Sequence, residues 1–112
     1  QPPLLIGGAA ATAIPRIIRY GDGWIPTGLD PAALRAPAAE LRAAMTAAGK
    51  SPPEIIPLAT LPLDDIGAAA DLLAAYREAG ATGIDHPARY TSVEEFKRNA
   101  DRLLQAAARL AS

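Results

Sequence analysis

Four short apolar runs alternate with four segments of helical periodicity along this chain, and that alternation restricts its fold more than any other feature. Successive runs are separated by roughly 20 to 30 residues, which is enough for a crossover helix between two parallel strands. Alternation of this kind is typical of parallel α/β architecture, so the sequence predicts four successive βα units. The four predicted strands cover residues 4–6, 24–27, 55–61 and 83–86.

The first two helical segments carry recognisable start signals. Thr12 is the predicted start of the first helix, which would place Pro15 in the first turn, where a missing N–H does little harm. Asp30 followed by Pro31 is an N-cap with a proline at the first helical position. Pro37 is expected to divide this second segment into a short helix and a longer one.

The last two helical segments also have caps. Asp64 or Asp65 is suited to cap the third helix, and residues 91–94 read as a capping box for the fourth. Pro57 argues against a regular third strand, because proline cannot donate to a ladder. The fourth helix has an apolar stripe that we expect to face the core: Val93, Phe96, Ala100, Leu103, Ala107 and Leu110.

Two closures are open to a chain of this length. A small open sheet of four strands would leave its edges exposed, whereas a TIM (β/α)8 barrel needs about 250 residues, about twice what is present. The 112 residues, half of them apolar, are enough for one domain with a real core. The unit count therefore corresponds to a single partial domain over residues 1–112, half of a barrel.

Composition excludes several classes of function. The 11 basic and 12 acidic residues leave no positive field for a nucleic acid or an anionic membrane, and no apolar run is long enough to cross a bilayer. There is no cysteine and only one histidine, so no metal site is predicted. A cytoplasmic location is expected by default, and a chain that begins at Gln1 is expected to be a processed or partial product.

A glycine pair lies where the first strand hands over to the first helix. Gly7 and Gly8 permit a tight backbone turn with exposed N–H groups, and the helix that follows directs its positive N-terminal end at the same place. Such a loop accepts a phosphate. The pair is also compatible with a purely structural strand-helix turn, and the loop alone does not decide between the two.

Several further segments, taken with the glycine pair, carry a family resemblance. They are IGG at 6–8, GDGW at 21–24, AGKSP at 48–52, EAGATGIDH at 78–86 and EFKRNA at 95–100. Together they resemble the C-terminal half of the bacterial luciferase-like monooxygenase family, whose members are flavin- or deazaflavin-dependent barrels. The resemblance spans nearly the whole chain and implies that these are the last four strand-helix units of a barrel.

The resemblance implies a cofactor and a location for it. The cofactor would be flavin mononucleotide (FMN) or the deazaflavin coenzyme F-420, with its phosphate in the loop of Gly7, Gly8 and Ala9. Thr12 could add a hydroxyl, and Thr27 lies at the C-terminal mouth of its strand, where barrel sites are built. The implied activity is that of an oxidoreductase or monooxygenase acting on a small organic substrate.

Catalytic residues are not evident in these 112 residues. His86 is the one histidine and lies at the end of a predicted strand, so a role in proton transfer is conceivable, with Arg89 and Tyr90 close behind it. Trp24 and Asp22 are better explained by packing and by turn formation. The alternatives to an oxidoreductase are a non-catalytic half-barrel that self-associates or binds a phosphorylated ligand, and a mere fragment.

Half of a barrel has unpaired edges and an apolar face meant for the barrel interior. The sequence therefore predicts self-association, or pairing with a missing N-terminal half. The simplest closed assembly is a two-fold dimer that restores eight strands.

Overall fold

The computed structural model describes residues 3–87 and 92–111. Within them a three-stranded parallel sheet is followed and interleaved by four helices, which confirms the α/β class. The elements are β1 (Leu5–Gly7), α1 (Ala10–Tyr20), β2 (Gly23–Ile25), α2 (Pro31–Ala47), β3 (Glu54–Ile55), α3 (Ile66–Ala79) and α4 (Val93–Ala111).

The sheet grows in one direction along the chain. Its strand order is β1-β2-β3, and Leu58, just beyond β3, forms parallel bridges with Thr27 on one side and Asp85 on the other. Consecutive helices also contact each other, α1 with α2, α2 with α3 and α3 with α4. Right-handed crossovers between successive neighbours place their helices on the same side of a sheet, so the described residues place no helix on the second side.

Prolines shorten the strands. The carbonyls of Trp24 and Pro26 accept from the N–H groups of Ile56 and Leu58 at 2.9 Å each. Pro26 has no N–H to donate to the β3 segment, and Pro57 has none to donate to the segment around Asp85. Each ladder therefore loses a hydrogen bond soon after it begins. β2 and β3 accordingly end one or two residues before these prolines.

The predicted strands over residues 55–61 and 83–86 are therefore wrong in extent. Asp85 donates its N–H to the Pro57 carbonyl at 3.0 Å and accepts from the Ala59 N–H at 3.0 Å, which makes one isolated bridge. The parallel direction and the place in the sheet agree with the prediction. Four strands of regular ladder do not form, because the prolines remove the donors that would extend them.

Gly23 is required where β2 begins. A Cβ built on this residue would lie 2.4 Å from the Glu54 carbonyl oxygen and 2.7 Å from a methyl carbon of Leu5. No side chain fits between the two neighbouring strands at this point. Asp22 links the starts of β1 and β2 at this point. Its carboxylate accepts from the Leu4 N–H and its own N–H donates to the Leu4 carbonyl, at 2.7 Å each.

Side-chain caps start three of the four helices. The carboxylates of Asp30 and Asp65 accept from backbone N–H groups three residues on, at 2.7 and 3.1 Å, which confirms both as caps. The Ser92 hydroxyl accepts from the Glu95 N–H at 3.1 Å and begins α4. Thr91 of the predicted capping box lies outside the described residues.

The two prolines inside helices act differently from the prediction. α1 begins at Ala10 rather than at Thr12, so Pro15 lies in the interior, and Pro37 lies within one continuous α2 instead of dividing it. Buried residues on both sides of Pro37, among them Leu34 and Leu41, hold α2 against the core. That packing outweighs the one hydrogen bond that each proline removes.

The helix-covered face of the sheet holds the main core. Ile6, Trp24 and Ile55 are in register across the three strands and pack with residues of α1 and α2, and Trp24 and Ile55 have no exposed surface. Because side chains alternate along a strand, Ile25 and Ile56 lie on the opposite face. Both are only half-buried there.

The helix prediction for residues beyond 92 is confirmed, but its apolar stripe faces the core only in part, since Leu103 and Leu110 pack against the α3 side. Ala106 is fully buried against the α3 side, whereas Val93 is 64% exposed, Phe96 52% and Leu104 68%. Val93 and Leu104 are eleven residues apart, three helical turns, so they share one face. α4 thus presents the Val93 side of its apolar stripe to solvent.

Candidate functional site

The C-terminal ends of the parallel strands meet at one edge of the sheet, where α/β proteins build their sites. The loop from β1 to α1 lies at this edge. Gly7 is the last residue of β1, and Gly8 follows with φ +109°, a backbone conformation that side-chain-bearing residues rarely adopt. Gly8 therefore makes the turn, and α1 starts two residues later at Ala10.

Trp24 holds this loop from the neighbouring strand. Its indole Nε1–H donates to the Gly8 carbonyl oxygen at 2.9 Å, and the side chain is otherwise buried in the core. Trp24 thus packs, as the sequence predicts, and also fixes the loop. The second role was missed, because a sequence gives no sign of which carbonyl an indole will reach.

The start of α1 has no side-chain cap. Ala9 is its N-cap, and the Ala9 carbonyl accepts from the N–H groups of Thr12 and Ala13 at 3.1 and 2.8 Å. Among residues 3–87 and 92–111, no backbone carbonyl or side chain accepts from the N–H of Ala9, Ala10 or Ala11. Three amide donors are therefore directed outward at the positive end of this helix.

The hydroxyl of Thr12 lies beside this group of donors. It donates to the Ala9 carbonyl at 3.2 Å, and a Cβ built on Gly8 would lie 3.9 Å from the Thr12 oxygen. The space above Gly8 is otherwise open. Thr12 can still accept a hydrogen bond there, although its proton is engaged by the backbone.

A row of side chains crosses the uncovered face near the same edge. Thr27, Leu58 and Asp85 are bridge partners across three successive chain segments, and parallel partners point to the same side of a sheet. Thr27 and Asp85 are exposed. Thr27 was predicted as a ligand contact; Asp85 was missed as a candidate, although its position directly after an apolar pair at a strand end was the available signal.

His86 makes a structural hydrogen bond to the loop between β3 and α3. Its Nδ1 accepts from the Leu61 N–H at 2.9 Å, which fixes the loop between β3 and α3. Only Nε2 of this ring is left to exchange a proton. Arg89 and Tyr90, the two predicted companions of His86, lie outside the described residues.

Tyr76 of α3 holds another loop at the same edge of the sheet. Its hydroxyl donates to the Leu29 carbonyl at 2.7 Å and so anchors the loop between β2 and α2. Burial raises the pKa of the Tyr76 phenol above its ordinary value, and the nearby Asp30 carboxylate adds to the shift. The phenol is therefore held in its neutral, hydrogen-bonding form.

The donor set of the glycine loop fits a phosphate. It consists of the outward N–H groups of Ala9, Ala10 and Ala11, with no acidic side chain from Gly7 to Arg19, and the positive helix end favours an anion. Trp24 is buried and does not offer its face to the ring of a flavin. The described residues thus match the phosphate of the implied cofactor rather than the whole molecule.

A cleft of about 400 Å³ lies between α3, α4 and residues 81–84, lined mainly by apolar groups such as Leu73 and Leu103, and it does not include the glycine loop. Within residues 3–87 and 92–111, no three histidine, aspartate or glutamate side chains converge as metal ligands. Nor does that part of the chain contain a helix long and apolar enough to cross a membrane.

Comparisons with known proteins identify no relative. No family model, curated protein or solved structure matches the chain.

Proposed function

We propose that this chain contributes the cofactor-phosphate loop of a barrel oxidoreductase of the luciferase-like type, using FMN or coenzyme F-420 on a small organic substrate in the cytoplasm. The observation that carries the proposal is the uncapped start of α1, with three outward N–H donors beside a left-handed Gly8. The one-directional strand order and the row of contacting helices are what half of a (β/α)8 barrel would have.

The residues of this chain would bind and orient the cofactor rather than react. The N–H groups of Ala9, Ala10 and Ala11 would hold the phosphate, and the Thr12 hydroxyl would rotate from the Ala9 carbonyl to donate at its rim. Trp24 keeps the loop in place through the Gly8 carbonyl. When bound, a reduced flavin or deazaflavin would supply the hydride or electron pair, and Thr27 and Asp85, which bridge to Leu58 at the same edge, would contact substrate or cofactor.

The test replaces Ala9 by aspartate. At this N-cap position an aspartate would accept from the N–H of Ala11 or Thr12, so Ala9→Asp should stabilise the protein by about 1 kcal/mol. Its negative charge should at the same time exclude a phosphate. We expect the unfolding midpoint to rise and FMN affinity, measured by isothermal titration calorimetry, to fall about tenfold or more.

Ala9→Asn is the matched control, because it caps the helix without a charge. It should stabilise similarly and weaken FMN less than aspartate does. Riboflavin, which lacks the phosphate, should bind parent and Ala9→Asp protein equally. Equal FMN affinity in parent and Ala9→Asp protein, or equal affinity of FMN and riboflavin for the parent, would contradict a phosphate site at this loop.

A second candidate function is a non-catalytic half-barrel that self-associates or binds a phosphorylated ligand. The observation in its favour is the exposure of large apolar side chains on α4, which the chain does not bury by itself. Binding of inorganic phosphate without any preference for FMN would favour this second candidate.

A further inference from the structure

The cleft of about 400 Å³ between α3 and α4 is the right size for a small molecule. Pockets that hold small organic molecules enclose about 300–1,000 Å³ and have mostly apolar walls. Here the walls are large aliphatic side chains, and small residues leave the space between them. The large ones are Leu73, Ile84, Leu103 and Leu110, and the small ones are Ala81, Gly83 and Ala107. The cleft therefore suits an aliphatic body.

Arg77 is the charged group of this cleft. Among the described residues that line the cleft it is the one charged side chain, and none of them carries a carboxylate. Arg77 lies in the last turn of α3 and is exposed. Within residues 3–87 and 92–111 its guanidinium makes no hydrogen bond or ion pair, whereas Arg42 and Arg102 both donate to backbone carbonyls. The Arg77 donors are thus available to an anion that enters the cleft.

The backbone that lines the cleft adds two further donors. In the described part of the chain, the N–H groups of Gly83 and Ile84 meet no acceptor. The Thr82 hydroxyl, which also belongs to the lining, is already engaged. It accepts from the Ile55 N–H and donates to the Glu54 carboxylate, at 2.9 Å each. The polar groups left for a ligand are therefore all donors, which favours an anionic head.

We propose that this cleft binds an aliphatic monocarboxylic acid, with its chain between α3 and α4 and its carboxylate on Arg77. The planar fork of a guanidinium matches a carboxylate, and one guanidinium balances a single negative charge rather than the two of a phosphate. The aliphatic chain leaves water by packing on the leucine walls. The cleft shares no lining residue with the glycine loop, so the proposal does not depend on the phosphate site.

The recognition of the head is tested by titrating octanoate into the ¹⁵N-labelled protein and following its amide resonances by NMR. The amides of Gly83 and Ile84 should shift. Octanamide has the same chain without the charge and should bind about tenfold more weakly. Arg77→Gln should raise the Kd of octanoate about tenfold and leave that of octanamide unchanged. Arg35→Gln is the matched control, because Arg35 is exposed on α2 outside the cleft, and it should change neither Kd.

The binding of the body is tested by chain length and by filling the cleft. Each CH₂ added from hexanoate to octanoate should lower the Kd by about two- to fourfold. Ala107→Leu places a larger side chain in the lining and should weaken octanoate and octanamide alike. Ala108→Leu makes the same change at an exposed neighbour outside the lining and should weaken neither. Both alanines are exposed on α4 and leucine favours a helix, so circular dichroism should not change.

Several results would overturn the proposal. One is the absence of a shift at Gly83 and Ile84 at millimolar octanoate. Another is equal affinity of the parent protein for octanoate and octanamide. Unchanged octanoate affinity in Arg77→Gln would show that Arg77 serves only the negative end of α3. Shifts confined to the amides of residues 9–11 would place the carboxylate at the glycine loop instead, and unchanged affinity in Ala107→Leu would place the chain outside the cleft.

Discussion

At the scale of single residues, Trp24 joins the core to the candidate loop. Its ring is fully buried and its Nε1 bonds to Gly8, so core packing and loop position depend on the same side chain. Trp24→Phe keeps an aromatic ring but removes the donor. We expect a loss of about 1 kcal/mol for the hydrogen bond, plus a further cost for the lost volume, measured by urea unfolding.

The same variant should weaken FMN binding while leaving riboflavin binding unchanged, because only the phosphate depends on the loop. A variant equally stable and equally able to bind FMN would show that the indole does not fix Gly8.

Tyr76 gives a pH-dependent prediction. Its pKa in the folded protein is raised, so above about pH 10, its ordinary value, the unfolded chain loses the proton first. The Tyr76 contribution to stability is therefore complete below pH 10 and is lost as the pH rises further. Tyr76→Phe should be about 1 kcal/mol less stable at pH 7, through the lost bond to Leu29.

The difference between parent and Tyr76→Phe protein should shrink as the pH rises above 10, which urea unfolding at a series of pH values measures. The rest of the sequence is the same in both proteins, so its contribution cancels in the comparison. A difference that stays constant through this range would contradict the role of burial.

At the scale of elements, proline positions decide where strands and helices end. Caps such as Asp30 and Asp65 were predictable because their signals are local: a short polar side chain bonds to N–H groups three residues away. The strand lengths and the continuity of α2 were not predictable. They depend on which neighbour each proline faces, and on how much the buried side chains around it stabilise the helix.

Pro15 provides the test at this scale. It is exposed, lies in the interior of α1 and denies that helix one backbone hydrogen bond. Pro15→Ala should restore the bond and raise the thermal midpoint, with a gain of about 1–3 kcal/mol before the greater entropy of the unfolded chain is subtracted. Differential scanning calorimetry measures the change, and a lowered midpoint would indicate that the proline stabilises α1 through the unfolded state alone.

At the scale of the whole molecule, the order of the strand-helix units along the sheet was predictable from the sequence. How the ends of the sheet are covered was not predictable. Alternating runs and short connections determine a parallel sheet whose neighbours follow the chain, and the structure has that order. The apolar stripe of α4 was expected to face the core because periodicity identifies a face without saying what covers it. The part of the stripe that holds Leu103 packs beside α3, whereas the part that holds Val93 faces solvent.

The hydrogen bond between Trp24 and Gly8 also makes tryptophan fluorescence a probe of the loop. The protein has one tryptophan, so its entire indole emission comes from the residue that touches the candidate phosphate loop. Emission wavelength and lifetime of the unlabelled protein therefore report the state of this loop directly, and a flavin held nearby would absorb that emission. Occupancy of the loop and exchange between its conformations can be followed in real time without an added chromophore.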